Sequence, residues 1–316
     1  MIQTNTRLYY PKSFDDVQSS QIHFGPYEST LMSTKILQIS DLHFGPPFVA
    51  AIAEALLRAI PSLAPDAIVA SGDLTQRAKR YQFEEARQFF DRLPDIPLLV
   101  IPGNHDVPLY RIFERLFRPH ALYREIISPD LNPVLRVGNV VMIGLDSTAP
   151  RRSISNGRLD LHQLRHCAET FASVPDEIVR IVVAHHQFAP GHDRVFDVSM
   201  PGARRAIDCF VEQKVEMILG GHLHRSYIGS SLDFFPGHHR DRGVIIVQCG
   251  TTTSSRGKGR EHDENTFNLI EADLQNLAVT HYLYFEETGE FAPISRHLFP
   301  RQGHRLDLGD QTPSSQ

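Results

Sequence analysis

The stretch "KILQISDLH", residues 35–43, decides how the rest of the chain is read. Ile36, Leu37 and Ile39 lead directly into an aspartate and a histidine, the pattern of a buried strand whose carboxyl end carries chemistry. Beyond it the period changes. Val49, Ile52, Ala53, Leu56 and Ile60 fall on one helical face, "DAIVAS" (66–71) is again a strand, Phe83, Ala86, Phe90 and Leu93 stripe a second helix, and "PLLVIP" (97–102) is a third strand. Strands alternating with helices predict a mostly parallel sheet covered on both faces.

Further along, "VLRVGNVVMIGLDS" (134–147) reads as two strands joined at a Gly-Asn turn, followed by a helix with Leu161, Leu164, Ala168 and Phe171 on one face. Strands in "EIVRIVVAHH" (177–186), "VEMILGG" (215–221) and "GVIIVQCG" (243–250), with a helix over 203–211, continue the pattern. Two late strands, 266–273 and 277–285, lack intervening helices and point to a second, mixed or antiparallel sheet. The expected class is therefore α/β: a four-layer α/β/β/α sandwich of two packed mixed β-sheets flanked by helices. Residues 1–34 read as an N-terminal extension, 35–300 as one domain and the polar stretch 301–316 as a flexible tail.

Composition narrows the function. The 316 residues suffice for a sizeable core, and a net charge of −5 supplies no cationic field for nucleic acid, so no stable nucleic-acid complex is expected. No stretch approaches the roughly 20 apolar residues of a membrane span, and the first 30 residues lack a basic region followed by an apolar run. Cys167, Cys209 and Cys249 are scattered and outside any CxxC spacing, which suits reduced thiols and a cytoplasmic location.

Several of these strands end in residues able to hold metal. Asp41 and His43 follow the first, Gly72 and Asp73 the second, "GNHD" (103–106) the third, His185 the strand "RIVVA", and His222 and His224 the strand "VEMIL". Carboxylate, imidazole and carboxamide donors form a hard to borderline set suited to Mn, Fe or Zn. Two Asp carboxylates against two divalent ions leave excess positive charge, which attracts a phosphoester anion.

The ordered blocks "DLH" (41–43), "GD" (72–73), "GNHD" (103–106), a histidine after a strand (His185) and "GHLH" (221–224) resemble the calcineurin-like metallophosphoesterases over roughly residues 35–285. The resemblance implies that Asp41, His43 and His224 bind one ion, that Asp73 bridges, and that Asn104, His185 and His222 complete the second. It implies two divalent or mixed-valence ions and attack on phosphorus by a metal-bound hydroxide. By the same resemblance His105 is no ligand but faces the scissile phosphate, with Asp106 a candidate orienter of its imidazole. The "HHQFAP" run departs from the His-His-Pro common in the family.

Within that family, "ISDLHFG", "GDLTQRA", "PGNHDVPLY", "GHLHRSY" and "CGTTTSS" look most like bacterial class III cyclic-nucleotide phosphodiesterases, with phospholipase C-type enzymes as close neighbours. A small soluble diester such as a cyclic nucleotide is the leading substrate; hydrolysis of glycerophospholipids, with transient contact to a lipid surface, and a non-catalytic scaffold of the same fold are the alternatives. Phe44, Phe188 and Tyr227 are candidate pocket walls; "SLDFFPG" (231–237) either packs under its own loop, the preferred reading, or offers an apolar surface to acyl chains or another subunit, and "RGKGRE" (256–261) reads as a flexible loop in preference to a phosphate contact. His162, His166, His192, His238 and His239 read as surface imidazoles. Oligomeric state is left open.

Overall fold

The computed structural model describes residues 33–152, 154–190, 198–235, 243–257 and 264–301. The extension up to residue 32, the tail from 302 and most of "RGKGRE" lie outside these, as do His192, His238 and His239.

The first half runs β1 (Thr34–Ile39), α1 (Ala50–Leu63), β2 (Ala67–Ala70), α2 (Arg80–Phe90) and β3 (Leu98–Val100), then two short helices, α3 (Ile112–Phe117) and α4 (Ala121–Ile126). Next come β4 (Val134–Val137), β5 (Val140–Leu145), α5 (Leu161–Ala172), β6 (Val179–Ala184), α6 (Ala203–Glu212), β7 (Met217–Gly220), β8 (Tyr227–Ser230), α7 (Ser231–Phe234) and β9 (Ile245–Gln248). The described chain closes with β10 (Thr266–Ala272), β11 (Asn276–Phe285) and β12 (Glu290–Pro300).

Among the described residues, twelve strands form two six-stranded sheets, ordered β12-β11-β10-β1-β2-β3 and β4-β5-β6-β7-β9-β8. In the first, β1, β2 and β3 are parallel while β10 joins β1 antiparallel; in the second, β5, β6, β7 and β9 are parallel between antiparallel β4 and β8. One apolar cluster, including Ile36, Val69, Met142, Ile181 and Leu219, fills the space between the sheets. A second packs α1 and α2 on the outer face of the first sheet, through Leu56, Ile60, Phe83 and Phe90, and a third packs α5 and α6 on the second, through Leu164, Phe171 and Phe210. The molecule is thus the four-layer α/β/β/α sandwich expected. Both β5 and β6 are buried at every position, so β5 carries no polar side chain and β6 only Arg180, whose guanidinium donates to Val174 O and Gln213 O.

Two details differ from the periodicity. On α5 the buried residues are Leu164, Cys167 and Phe171, while Leu161 is exposed. Leu161 is the first residue after the Asp160 cap, whose carboxylate accepts from Gln163 N at 2.9 Å, so it sits at the open end of the helix. The second difference is a third late strand. β12 is largely solvent-facing and carries Pro293 opposite Tyr282, beside a register shift at His281/Tyr282, so neither apolar alternation nor an unbroken strand composition marks it. Among the described residues, no helix is long and apolar enough to cross a membrane.

Candidate metal centre

Every candidate donor sits just past the carboxyl end of a parallel strand, and the two sheets share the work. Asp41 and His43 follow β1, Asp73 follows β2 and Asn104 follows β3; His185 follows β6, and His222 and His224 follow β7. The loops are tied together by their backbones: Asp41 N donates to Gly72 O at 3.1 Å, His43 N to Asp73 O at 3.0 Å, and Gly221 N to His185 O at 3.0 Å. One contact joins the sheets directly, His222 N donating to Asp41 Oδ2 at 3.0 Å.

These loops are bent unusually hard. Asp41, His43, Asp73, His222 and His224 all have φ between 52° and 73°, a left-handed region that costs a non-glycine residue on the order of 1–3 kcal/mol and is held only where the surroundings enforce it. Gly72, at φ 100°, permits the approach of His185, since a Cβ there would lie 2.6 Å from the ring Nδ1. Gly221 is required for a different reason: a Cβ would collide with Ser40 Oγ and Asp41 Oδ2.

The donor atoms converge on two adjacent points. Around the first, His224 Nε2 lies 3.0 Å from His43 Nε2 and 3.1 Å from Asp41 Oδ1, and Asp73 Oδ2 is 3.8 Å from His43 Nε2. Around the second, His185 Nε2 is 3.3 Å from the same Asp73 Oδ2 and 3.2 Å from Asn104 Oδ1, which is 2.8 Å from His222 Nδ1. Asp41, His43, Asp73 and His224 therefore form one group able to hold an ion and Asp73, His185 and His222 a second, with Asp73 common to both. Of the adjacent pair His185 and His186, His185 faces this pocket, whereas His186 Nδ1 meets Ser147 Oγ at 2.8 Å.

The residues fit a cation pair on their own chemistry. Asp41 Oδ1 and Asp73 Oδ2 are buried with no hydrogen-bond partner, a costly arrangement unless something positive sits against them. Ions bound to N and O donors at about 2.0–2.2 Å bring neighbouring donors to about 3.0–3.4 Å, close to the separations seen here. Burial lowers His43 to about 4, and burial with the His185 charge lowers His222 to about 3, so both present neutral lone pairs. Burial would raise Asp41 and Asp73, but His224 beside the first and His185 beside the second hold them well below the ordinary carboxylate range. Behind the donors, His185 Nδ1 donates to Ser71 O at 2.9 Å and His224 Nδ1 to Arg256 O at 2.7 Å, fixing Nε2 of each ring toward the pocket.

His105 and Asp106 occupy the short turn Asn104–Asp106. His105 stands outside both donor groups, with its backbone N donating to Asp73 Oδ1 at 2.8 Å and its ring edge-on to His43, centroids 4.8 Å apart. Asp106 does not orient that ring, contrary to the expectation. Its carboxylate accepts from Gly103 N (2.9 Å), Leu74 N (3.1 Å), Thr75 N (2.8 Å) and Thr75 Oγ1 (3.0 Å), while His105 Nδ1 donates to Gln76 O at 2.9 Å. Asp106 thus ties the loop after β2 to the loop after β3. Burial and then the Asp73 charge push it up to about 7, against the backbone donors that pull it down. Replacing Asp106 with alanine orphans these buried donors at about 1–3 kcal/mol each, so a destabilisation of about 3 kcal/mol or more is expected in denaturant unfolding. Unchanged stability with an altered pH–rate profile would restore the orienting role.

Other features of the pocket escaped sequence reading. Thr251 Oγ1 donates to Asp41 O at 2.8 Å, Thr253 Oγ1 to Leu42 O at 3.0 Å, and Thr252 Oγ1 accepts from Ser40 N at 3.0 Å, so the "TTT" run after β9 clamps the Asp41 loop. Arg256, half-buried, reaches toward His105: its Nη1 donates to Gln76 Oε1 at 2.8 Å, and among the described residues it forms no ion pair. Conversely, Phe44 and Phe188 are not pocket walls. Phe44 stacks on Phe48 at 4.2 Å and Phe188 packs on Phe210 at 5.8 Å, both within the outer cores. Tyr227 remains partly exposed, and Phe234 and Phe235 pack against the core of the second sheet.

Comparison with known proteins agrees with this geometry. A probable cyclic nucleotide phosphodiesterase of Synechococcus is 28% identical over 218 residues, covering 65% of this chain and 80% of that protein. A probable glycerophosphodiester phosphodiesterase, GpdQ, of Arcobacter nitrofigilis is 27% identical over 164 residues, or 51% of this chain and 57% of the relative. Among solved structures, the purple acid phosphatase PPD1 of yellow lupin superimposes with a TM-score of 0.66 at 14% identity over 87% of this chain and 55% of its own, a likeness of fold. The profile of the calcineurin-like phosphoesterases matches residues 34–226, the span that carries all seven candidate donors. The chain belongs to the calcineurin-like phosphoesterase family.

Proposed function

We propose that Asp41, His43, Asp73 and His224 hold one metal ion, that Asp73, Asn104, His185 and His222 hold a second, and that the enzyme hydrolyses small soluble phosphodiesters of the cyclic-nucleotide type. The observation that carries the reading is the shared, otherwise unpartnered Asp73 Oδ2 lying between the two donor groups. Mn, Fe or Zn, as divalent or mixed-valence ions, suit the donor set. When bound, such a pair supplies an acidified water and positive charge for the phosphate oxygens.

The chain's own residues do the rest. His105 Nδ1–H is committed to the Gln76 carbonyl, so Nε2 is the ring atom that gains or gives up a proton, and burial lowers this histidine from its ordinary value. In its imidazolium form the ring would pass the Nε2 proton to the leaving oxygen and return to the neutral Nδ1–H tautomer. Arg256 donates one N–H to Gln76, whose carbonyl holds His105, a position from which its guanidinium would meet a non-bridging phosphate oxygen. Arg256→Ala is expected to raise KM for a diester about tenfold while leaving metal content intact, since only the main-chain carbonyl of Arg256 touches His224.

The name of the Synechococcus relative favours cyclic nucleotides, and that of the Arcobacter relative supports a glycerophosphodiester as the second reading. The test is metal analysis of the purified full chain with turnover of 2′,3′- and 3′,5′-cyclic nucleotides, glycerophosphodiesters, phosphatidylcholine and bis-nitrophenyl phosphate. Two ions per chain, loss of activity on chelation and preference for a cyclic nucleotide are expected. Turnover that survives exhaustive chelation overturns the metal assignment; preference for phosphatidylcholine micelles overturns the substrate.

A further inference from the structure

Immediately after the His105 turn the chain does something that the core does not call for. Helix α3 buries none of its side chains. Phe113 is 82% exposed, Tyr110 and Phe117 are each 75% exposed and Ile112 62%, large apolar side chains set in solvent between Arg111, Glu114 and Arg115 on a chain whose other large side chains are mostly packed. The helix is nevertheless held firmly, and by arginines rather than by its rings. Arg115 donates to Pro150 O and Arg152 O, both at 2.6 Å, Arg111 Nη2 donates to Ala78 O at 2.7 Å, and Arg151 Nε donates to Leu116 O at 3.4 Å. The polar side anchors the helix, and the aromatic side is presented outward.

Charge identifies what the face meets. Residues 110–118 and 149–152 carry five arginines against one carboxylate, Glu114, which Arg111 already engages at 2.8 Å, although the whole chain is net negative at −5. Arg118, Arg151 and Arg152 are exposed beside the rings. Aromatic rings flanked by arginine on a short helix match a headgroup layer: the rings enter the boundary of the acyl region and the guanidinium groups meet lipid phosphates. A second copy of the chain is a poor occupant, because a two-fold contact would set this arginine-rich patch against itself. The patch also adjoins the pocket: Arg77 lies 5.6 Å above the Tyr110 ring, and its neighbour Gln76 holds the His105 imidazole.

We infer that α3, with the 149–152 segment, is a docking surface for an anionic lipid bilayer, holding the metal pocket's rim against the membrane. This goes beyond the hydrolytic reading and stands whichever diester is cleaved. The test uses the metal-loaded full chain and vesicles of phosphatidylcholine alone or with about one-third phosphatidylglycerol. Sedimentation with the anionic vesicles, weakened by added salt, is expected. The double variant Phe113→Ser/Phe117→Ser should lower the partition coefficient about tenfold, as should Arg118→Glu/Arg152→Glu, while turnover of soluble bis-nitrophenyl phosphate and the thermal midpoint stay at wild-type values. Absence of binding to anionic vesicles, or equal binding by the variants, overturns the inference. So does a concentration-dependent dimer that the serine variant dissociates, which would make a second copy the occupant. Soluble turnover is read separately in every arm, so failure to dock is distinguishable from failure of the hydrolase assignment.

Discussion

Asp73→Ala is expected to empty both metal positions together and to lower kcat/KM by about 10³-fold or more, equivalent to about 4 kcal/mol of transition-state stabilisation. The geometry requires this coupling. Among the described residues, Asp73 is the one shared by both groups, its Oδ2 3.8 Å from His43 Nε2 and 3.3 Å from His185 Nε2. Its loss also removes the charge that most favours a cation at His185 and the acceptor for the His105 backbone N–H. Loss of one ion with the other at wild-type occupancy, measured by elemental analysis of dialysed protein, contradicts a bridging role.

His105→Ala is expected to separate chemistry from metal binding. No ring atom of His105 joins either donor group, and its Nδ1 is spent on Gln76 O, so two ions per chain should remain. Loss of a positioned proton donor lowers kcat by about 10²–10⁴-fold. The loss should shrink for a diester whose leaving group needs no protonation, such as a nitrophenolate, and be largest for a sugar hydroxyl. An equal loss for both leaving groups contradicts the proton-transfer role, and loss of the ions contradicts the placement itself.

How much of this was legible beforehand follows from how local each signal is. The β/α alternation and the donors at strand ends are written in contiguous residues, since a buried parallel strand is rich in apolar residues and ends where its polar cargo begins. "KILQIS" and "DLH" state both facts in nine residues. β12 was not legible because its partners lie on one side only and Pro293 is accommodated at a bulge. Arg256 was hidden for the opposite reason. The glycines of "RGKGRE" admit a phosphate contact but favour a flexible loop, and they do not single out Arg256; the arginine matters because the threonine clamp after β9 returns the chain to the Asp41 loop, more than 200 residues away in sequence. Phe44 misled by adjacency: one residue from His43, it turns to the other side of the loop and packs on Phe48.

The division of the donors between the sheets bears on how the protein matures. Each cluster draws on both halves of the sandwich: His224 completes a group otherwise from the first sheet, and Asn104 with Asp73 completes one otherwise from the second. Neither half presents a finished cage by itself, and the first sheet is completed only when β10, near the end of the chain, inserts beside β1. Under the proposed assignment, a growing or partly refolded polypeptide has no high-affinity seat for either ion. Metal uptake then serves as a checkpoint, and cofactor loading reports that assembly has run to completion.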